Sequence, residues 1–288
     1  MAVSEEVATQ FFQYVGRHLV CLAVQLVDFD EHGKPSAEER FVACSGFIMS
    51  FGEMWFFVTA GHVLRDIDEG TKNKKISITS CCFADYFGLG AKVRIPTPFA
   101  YESAVKGYID DKAIGLDIGL IYLPPLYREG FKKNSIIPIS EVDWIHQHKI
   151  EFKKYYILGF PKEIVDQQTP KAPRGQKITG NVRPMLIPVR SISDAKEIPP
   201  NVHTPKSELD WFVGKIESSN VRSIEGMSGG PIIGLRPEPD GSMRYWFVAL
   251  QSSWFAGARI ILACPLPIFA EIIFCLIEEK GITEENIA

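Results

Sequence analysis

The sequence has no basic excess: 31 lysines and arginines stand against 35 aspartates and glutamates, a formal net charge of −4. Its densest basic run, Lys72-Asn73-Lys74-Lys75, is short and reads as a solvated loop. A nucleic-acid partner, which a basic stripe would attract, is therefore not expected. Long apolar runs are also missing. Residues 259–277 come nearest, but Pro265, Pro267 and Glu271 break them, and a spanning helix needs about 20 apolar residues, so no membrane association is expected. The first six residues carry Glu5 and Glu6 where a secretory leader would be basic. No cysteine pair has metal-type spacing, and Cys21, Cys44, Cys81, Cys82, Cys264 and Cys275 lie mostly in apolar runs, where a thiol serves as a small hydrophobe. Free thiols and a reducing, cytoplasmic compartment are expected. His146 and His148 stand two apart without a third ligand motif and read as a solvated segment, so neither a metal nor an organic cofactor is expected.

What is present is a chain of 288 residues, 46% hydrophobic, long enough for one large domain or two packed halves. Residues 4–16 read as a short amphipathic helix, capped by Ser4, with Val7, Phe11, Tyr14 and Val15 on one side. The pattern then changes. Short runs rich in β-branched and aromatic residues occur at 19–27, 41–50, 55–59, 76–82, 118–122, 155–158, 185–189, 211–216, 231–234, 246–250 and 260–264. Ser50-Phe51-Gly52-Glu53 reads as a hairpin turn. Many short strands with little helix between them argue for an all-β sandwich or barrel. Residues 161–210 hold eight prolines and read mostly as long loops, and 266–280 return to a helical period.

Three motifs carry chemistry. In Gly226-Met227-Ser228-Gly229-Gly230-Pro231 a hydroxyl sits on a glycine turn. A nucleophile needs such a turn, because glycine permits positive φ and lets backbone N–H groups approach a developing oxyanion. The N–H groups of Gly226 and Ser228 would form that hole. In Val58-Thr59-Ala60-Gly61-His62-Val63 an apolar strand ends in small residues and presents a histidine, the side chain suited to proton exchange near neutral pH. In Gly115-Leu116-Asp117-Ile118 a carboxylate stands at the mouth of an apolar strand, where partial burial demands a partner. Asp117 would fix the tautomer of His62 and stabilise its imidazolium. Asp110 and Asp111 are nearby rivals, but 108–112 read as an exposed loop.

The order His, Asp, Ser, with the serine in the second half, resembles the chymotrypsin-like (trypsin-like) serine peptidases over about residues 17–265. The run Tyr156-Ile157-Leu158-Gly159-Phe160-Pro161 resembles the strand that opens the second barrel in intracellular bacterial-type members. The resemblance implies an all-β fold of two antiparallel six-stranded barrels with the triad between them. It implies a division into a 1–17 helix, an 18–135 barrel with His62 and Asp117, a 136–265 barrel with Ser228, and a 266–288 C-terminal helix. It implies a serine endopeptidase acting on a protein or peptide substrate, and the absence of secretion features suits processing of one intracellular protein. The rival reading is a catalytically silent module that binds a partner in its cleft.

The sequence also departs from that family. Val63 follows the histidine where secreted members carry a cysteine. Met227 precedes the serine where digestive members carry an aspartate that pairs with a newly cut N-terminus, so activity without N-terminal cleavage is expected. Counting back six from Ser228 gives Arg222, which would favour an acidic residue before the scissile bond if it lined the pocket. Ser253-Trp254 resembles the segment that pairs with the substrate backbone.

Overall fold

The computed structural model describes residues 11, 14–85, 97–145, 149–169, 171–176, 184–205, 211–217, 221–240 and 242–281. The strands are β1 (Leu19–Phe29), β2 (Pro35–Phe51), β3 (Met54–Thr59), β4 (Ile76–Ala84), β5 (Thr97–Pro98), β6 (Lys106–Asp111), β7 (Leu116–Leu123), β8 (Lys154–Gly159), β9 (Ala172–Pro173), β10 (Met185–Ser191), β11 (Phe212–Lys215), β12 (Pro231–Pro237), β13 (Met243–Phe255) and β14 (Ile260–Pro265). The second half closes as a six-stranded antiparallel barrel, in the order β10-β11-β14-β13-β12-β8. The first half is a sheet in the order β5-β4-β1-β2-β3-β7-β6, with β9 crossing back from the second half to pair with β2.

The expectation of two closed six-stranded barrels therefore holds for one of them. Among the described residues no ladder joins β6 to β4 or β5, so the first sheet is an open path. The hairpin turn after β2 is the two-residue Gly52–Glu53 loop, with Phe51 facing Met54 and Gly52 at φ +55°. More helix is present than the strand pattern implied: α1 (Gly61–Lys72), α2 (Pro125–Lys133), α3 (Glu141–Trp144), α4 (Lys162–Gln168) and α5 (Pro267–Lys280). The proline-rich 161–210 region is more ordered than long loops, since α4, β9 and β10 lie within it. Pro188 pairs with Tyr156 of β8 on one side, and among the described residues β11 pairs with β10 only at Arg190 and Ser191, so no second ladder runs past the proline. Of the helix expected at 4–16, Phe11 and residues 14–16 are helical and the other residues lie outside those described. So do His146 and His148. No helix among the described residues is long and apolar enough to cross a membrane.

The strands read as continuous apolar runs because both faces are buried. Phe56 and Val58 of β3 point into a core shared with the second barrel, while Trp55 and Phe57 point into the core of the first sheet. In β1, Leu19, Cys21 and Ala23 alternate in the same way with Val20, Leu22 and Val24. The shared core takes Leu158, Phe160, Ile233 and Phe247 from the barrel, and Phe269 and Ile273 from α5. Two sheets clamped on one apolar layer bring the ends of β3, β7 and the β12 approach to the same place. Among the described residues no disulfide is formed.

Candidate active site

His62 is the second residue of α1, which starts where β3 ends. Its helix has no side-chain cap of its own, since Ala60 precedes it. The orphan N–H groups of a helix start need acceptors. Asp117 on β7 supplies one: its Oδ1 accepts the His62 backbone N–H at 2.8 Å, and its Oδ2 meets His62 Nδ1 at 2.7 Å. One carboxylate thus fixes both the backbone and the ring of one residue. Glycine at position 61 makes the approach possible, because a Cβ there would sit 2.0 Å from the carbonyl oxygen of Ile109. Asp117 is buried, and the His62 side chain stays 30% exposed. With Nδ1 held by Asp117, Nε2 is the nitrogen left for other work.

Asp110 is not on an exposed loop. It lies on β6 opposite Asp117, and its buried carboxylate pairs with Arg65 of α1. That pairing removes it from competition for His62, because its charge is already matched.

Ser228 sits on the turn before β12. Gly226 and Gly229 both adopt φ +89°, the left-handed region that favours glycine. A Cβ on Gly229 would lie 2.3 Å from Thr59 Oγ1 and 2.4 Å from the Ser45 carbonyl oxygen. The turn is therefore pressed against the end of β3, beside His62. Three of its N–H groups are committed inward: Met227 to the Ile224 carbonyl, Gly229 to Gln251, and Gly230 to Met227. Those of Gly226 and Ser228 have no acceptor among the described residues. Their peptide planes are nonetheless fixed. The Lys162 N–H holds the Glu225 carbonyl at 2.7 Å, and the Gly230 N–H holds the Met227 carbonyl at 2.8 Å. In a planar trans peptide the N–H points opposite to the C=O, so both free donors are aimed by bonds on the far side.

Ser228 and His62 line one cavity of about 1120 Å³, together with Ile224, Gly226 and Trp254. Among the described residues no hydrogen bond joins the two side chains. Catalytic contacts of this kind are commonly longer without substrate and tighten on binding. A smaller cavity of about 430 Å³ opens on the Asp117 side of the imidazole, lined by Trp211 and Ser253.

The remaining predicted residues fall as follows. Met227 is fully buried in the barrel core with Val221 and Ile224, an apolar anchor for the turn. Arg222 is exposed, its backbone N–H bonded to Glu163, and its neighbours Ser223 and Ile224 make the cavity wall. Ser253 and Trp254 lie on β13 beyond the end of its pairing with β12. Only β14 pairs with them among the described residues, which leaves one strand edge open toward the cleft. Sequence reasoning missed Ser45 and Lys162. Ser45 is embedded in the apolar run of β2, and Lys162 acts through its backbone, so neither carries a local signal.

No family model matches the sequence, and no curated protein matches it. Solved structures do align along the chain. One is Rv3671c from M. tuberculosis H37Rv, a serine-to-alanine mutant in an inactive form, at 11% identity, covering 98% of each chain with a TM-score of 0.46. Deg5 aligns at 13% identity over 94% of this chain and 95% of its own, with a TM-score of 0.47. The thermostable serine protease AL20 from an extremophilic microorganism aligns at 13% identity over 84% and 90%, with a TM-score of 0.41. At these identities the likeness concerns the path of the chain alone.

Proposed function

We propose that the chain is a serine endopeptidase of the chymotrypsin-like type, with His62, Asp117 and Ser228 as its catalytic groups. The observation that carries this reading is the double clasp of Asp117 on His62, set in one cavity wall with a serine whose turn leaves two aimed N–H groups free. A buried carboxylate spent on orienting one imidazole has an obvious use in catalysis.

In this reading Ser228 Oγ attacks the peptide carbonyl carbon while His62 Nε2 takes its proton. The oxygen of the carbonyl becomes an oxyanion and accepts from the Gly226 and Ser228 N–H groups. His62 returns the proton to the leaving amine, the C–N bond breaks, and an ester to Ser228 remains. Water, deprotonated by the same nitrogen, then hydrolyses that ester. Asp117 keeps its charge throughout and offsets that of the imidazolium. The substrate is a protein or peptide, and a dedicated intracellular partner fits the charge and composition.

A fluorophosphonate probe tests the reading. Wild-type protein is expected to be labelled at Ser228, and Ser228→Ala to abolish the label. A folded wild type that stays unlabelled would instead fit a silent binding module.

A further inference from the structure

Resting on the peptidase reading, we infer that Gln251 selects a carboxamide side chain, glutamine or asparagine, in the substrate residue directly before the scissile bond. The backbone of Gln251 is clasped to the nucleophile turn: its carbonyl accepts from the Gly229 N–H at 2.9 Å, and its N–H donates to Gly230 at 3.0 Å. It is thus the β13 residue tied to the two glycines that follow Ser228. In this proposal the side chain of the substrate residue whose carbonyl lies at Ser228 reaches Gln251 past Ile224 and Trp254, which line the cavity.

Gln251 is only 1% exposed, yet both its Nε2 and its Oε1 lack a hydrogen-bond partner. Leaving one buried polar group unmatched costs about 1–3 kcal/mol, so a native chain has reason to keep two only where something else fills them. The side chain faces the barrel interior, because Gln251 stands opposite Ala263 on β14 and directly paired residues share a face. Ala263 belongs to the cluster of Ile216, Val221, Ile224, Met227 and Ile261. Ile224 and Trp254, which pack in that same cluster, also line the cavity that holds Ser228. The Trp254 indole N–H is a second buried donor with no partner.

The chemistry of the occupant follows from what the cluster offers. Whichever way its amide is turned, Gln251 presents one donor and one acceptor. A carboxamide answers both. An apolar side chain would answer neither. A carboxylate would answer only the donors and would bury its charge among the apolar side chains of that cluster, a costly burial. A lysine or arginine would meet the opposite problem.

Cleavage profiling of the full chain on a peptide library, with fluorophosphonate labelling of Ser228 run in parallel, tests the assignment. The wild type is expected to cleave after glutamine or asparagine with kcat/KM at least about tenfold above leucine or glutamate, since sites built on hydrogen bonds discriminate strongly against partners that lack them. Gln251→Leu is expected to lose that preference while still being labelled at Ser228, which reports an intact nucleophile, and to melt no lower. Gln251→Met, closer in length, replaces it if the leucine variant does not fold. A labelled wild type that prefers another residue, or a variant with unchanged preference, overturns the assignment. Preference for glutamate would point back to Arg222. A folded wild type that is never labelled removes the peptidase reading, and the assignment falls with it.

Discussion

The hydroxyl of Ser45 donates to the carbonyl of Gly226 at 3.0 Å, from the first sheet to the nucleophile turn. The same oxygen accepts from the Phe160 N–H at 2.9 Å, and Ser45 is fully buried. One side chain of β2 therefore ties both the turn and the start of α4 to the sheet that carries His62. It fixes the Gly226 carbonyl, as Lys162 fixes that of Glu225, so the glycine is held on both sides.

Ser45→Ala should orphan one buried donor and one buried acceptor at once. A stability loss of about 1–3 kcal/mol is expected for each unmatched group that water does not reach. In the proposed mechanism kcat should fall more than KM rises, because the peptide that links the two oxyanion-donor planes loses its anchor while the cleft keeps its walls. Denaturant unfolding and steady-state kinetics on a peptide substrate check the two effects. A variant with wild-type kcat and lowered stability would make Ser45 purely structural.

Asp117→Asn tests the clasp. The carboxylate accepts two N–H groups from His62 with its two oxygens. An amide has only one oxygen, so either the ring or the backbone of His62 must face an NH₂ group. In sites of this type the change typically lowers kcat about 10⁴-fold through the wrong tautomer. Kinetics on a variant shown to be folded by circular dichroism provide the measurement. Activity within about tenfold of wild type would mean that Asp117 serves the helix start and not the imidazole.

His18 gives a pH dependence unconnected with catalysis. Its Nδ1 meets the Ile137 carbonyl at 2.6 Å and its Nε2 the Tyr245 hydroxyl at 3.0 Å, which Arg17 in turn holds at 3.1 Å. Burial lowers its pKa from 6.5 to about 4, with the Ile137 carbonyl and Asp143 opposing and Arg17 assisting. Above pH 6.5 the ring is neutral in both folded and unfolded chains. Between about 6.5 and 4 the unfolded chain takes up a proton that the folded chain refuses, so stability falls as pH falls. The loss attributable to this residue reaches about 3 kcal/mol by pH 4. Urea midpoints measured from pH 7 to 4 should show that slope, and His18→Gln should flatten it. Equal slopes in both proteins would assign the acid sensitivity elsewhere.

Much of this was legible in the linear chain. Strands show because β-branched and aromatic runs suit a pleat buried on both faces, as in β1, β3 and β7. His62, Asp117 and Ser228 show because each sits where an apolar run meets small residues, a local pattern. Helices α2 and α4 were less visible, being short and opened by proline, and β6 was masked by its two aspartates. Asp110 looked exposed because its partner Arg65 lies 45 positions away in the chain and on another element.

The sequence alone singled out the groups proposed to react and the half of the chain that carries each, because residue type and local pattern need no partner. Only the tertiary structure decided that the second half closes as a barrel while the described strands of the first half form an open path, since closure depends on ladders between distant strands. It also decided the surroundings of Ser45, Lys162 and Gln251. Their importance lies in which backbone groups they meet, or in a buried amide that meets none, and no stretch of sequence carries that information.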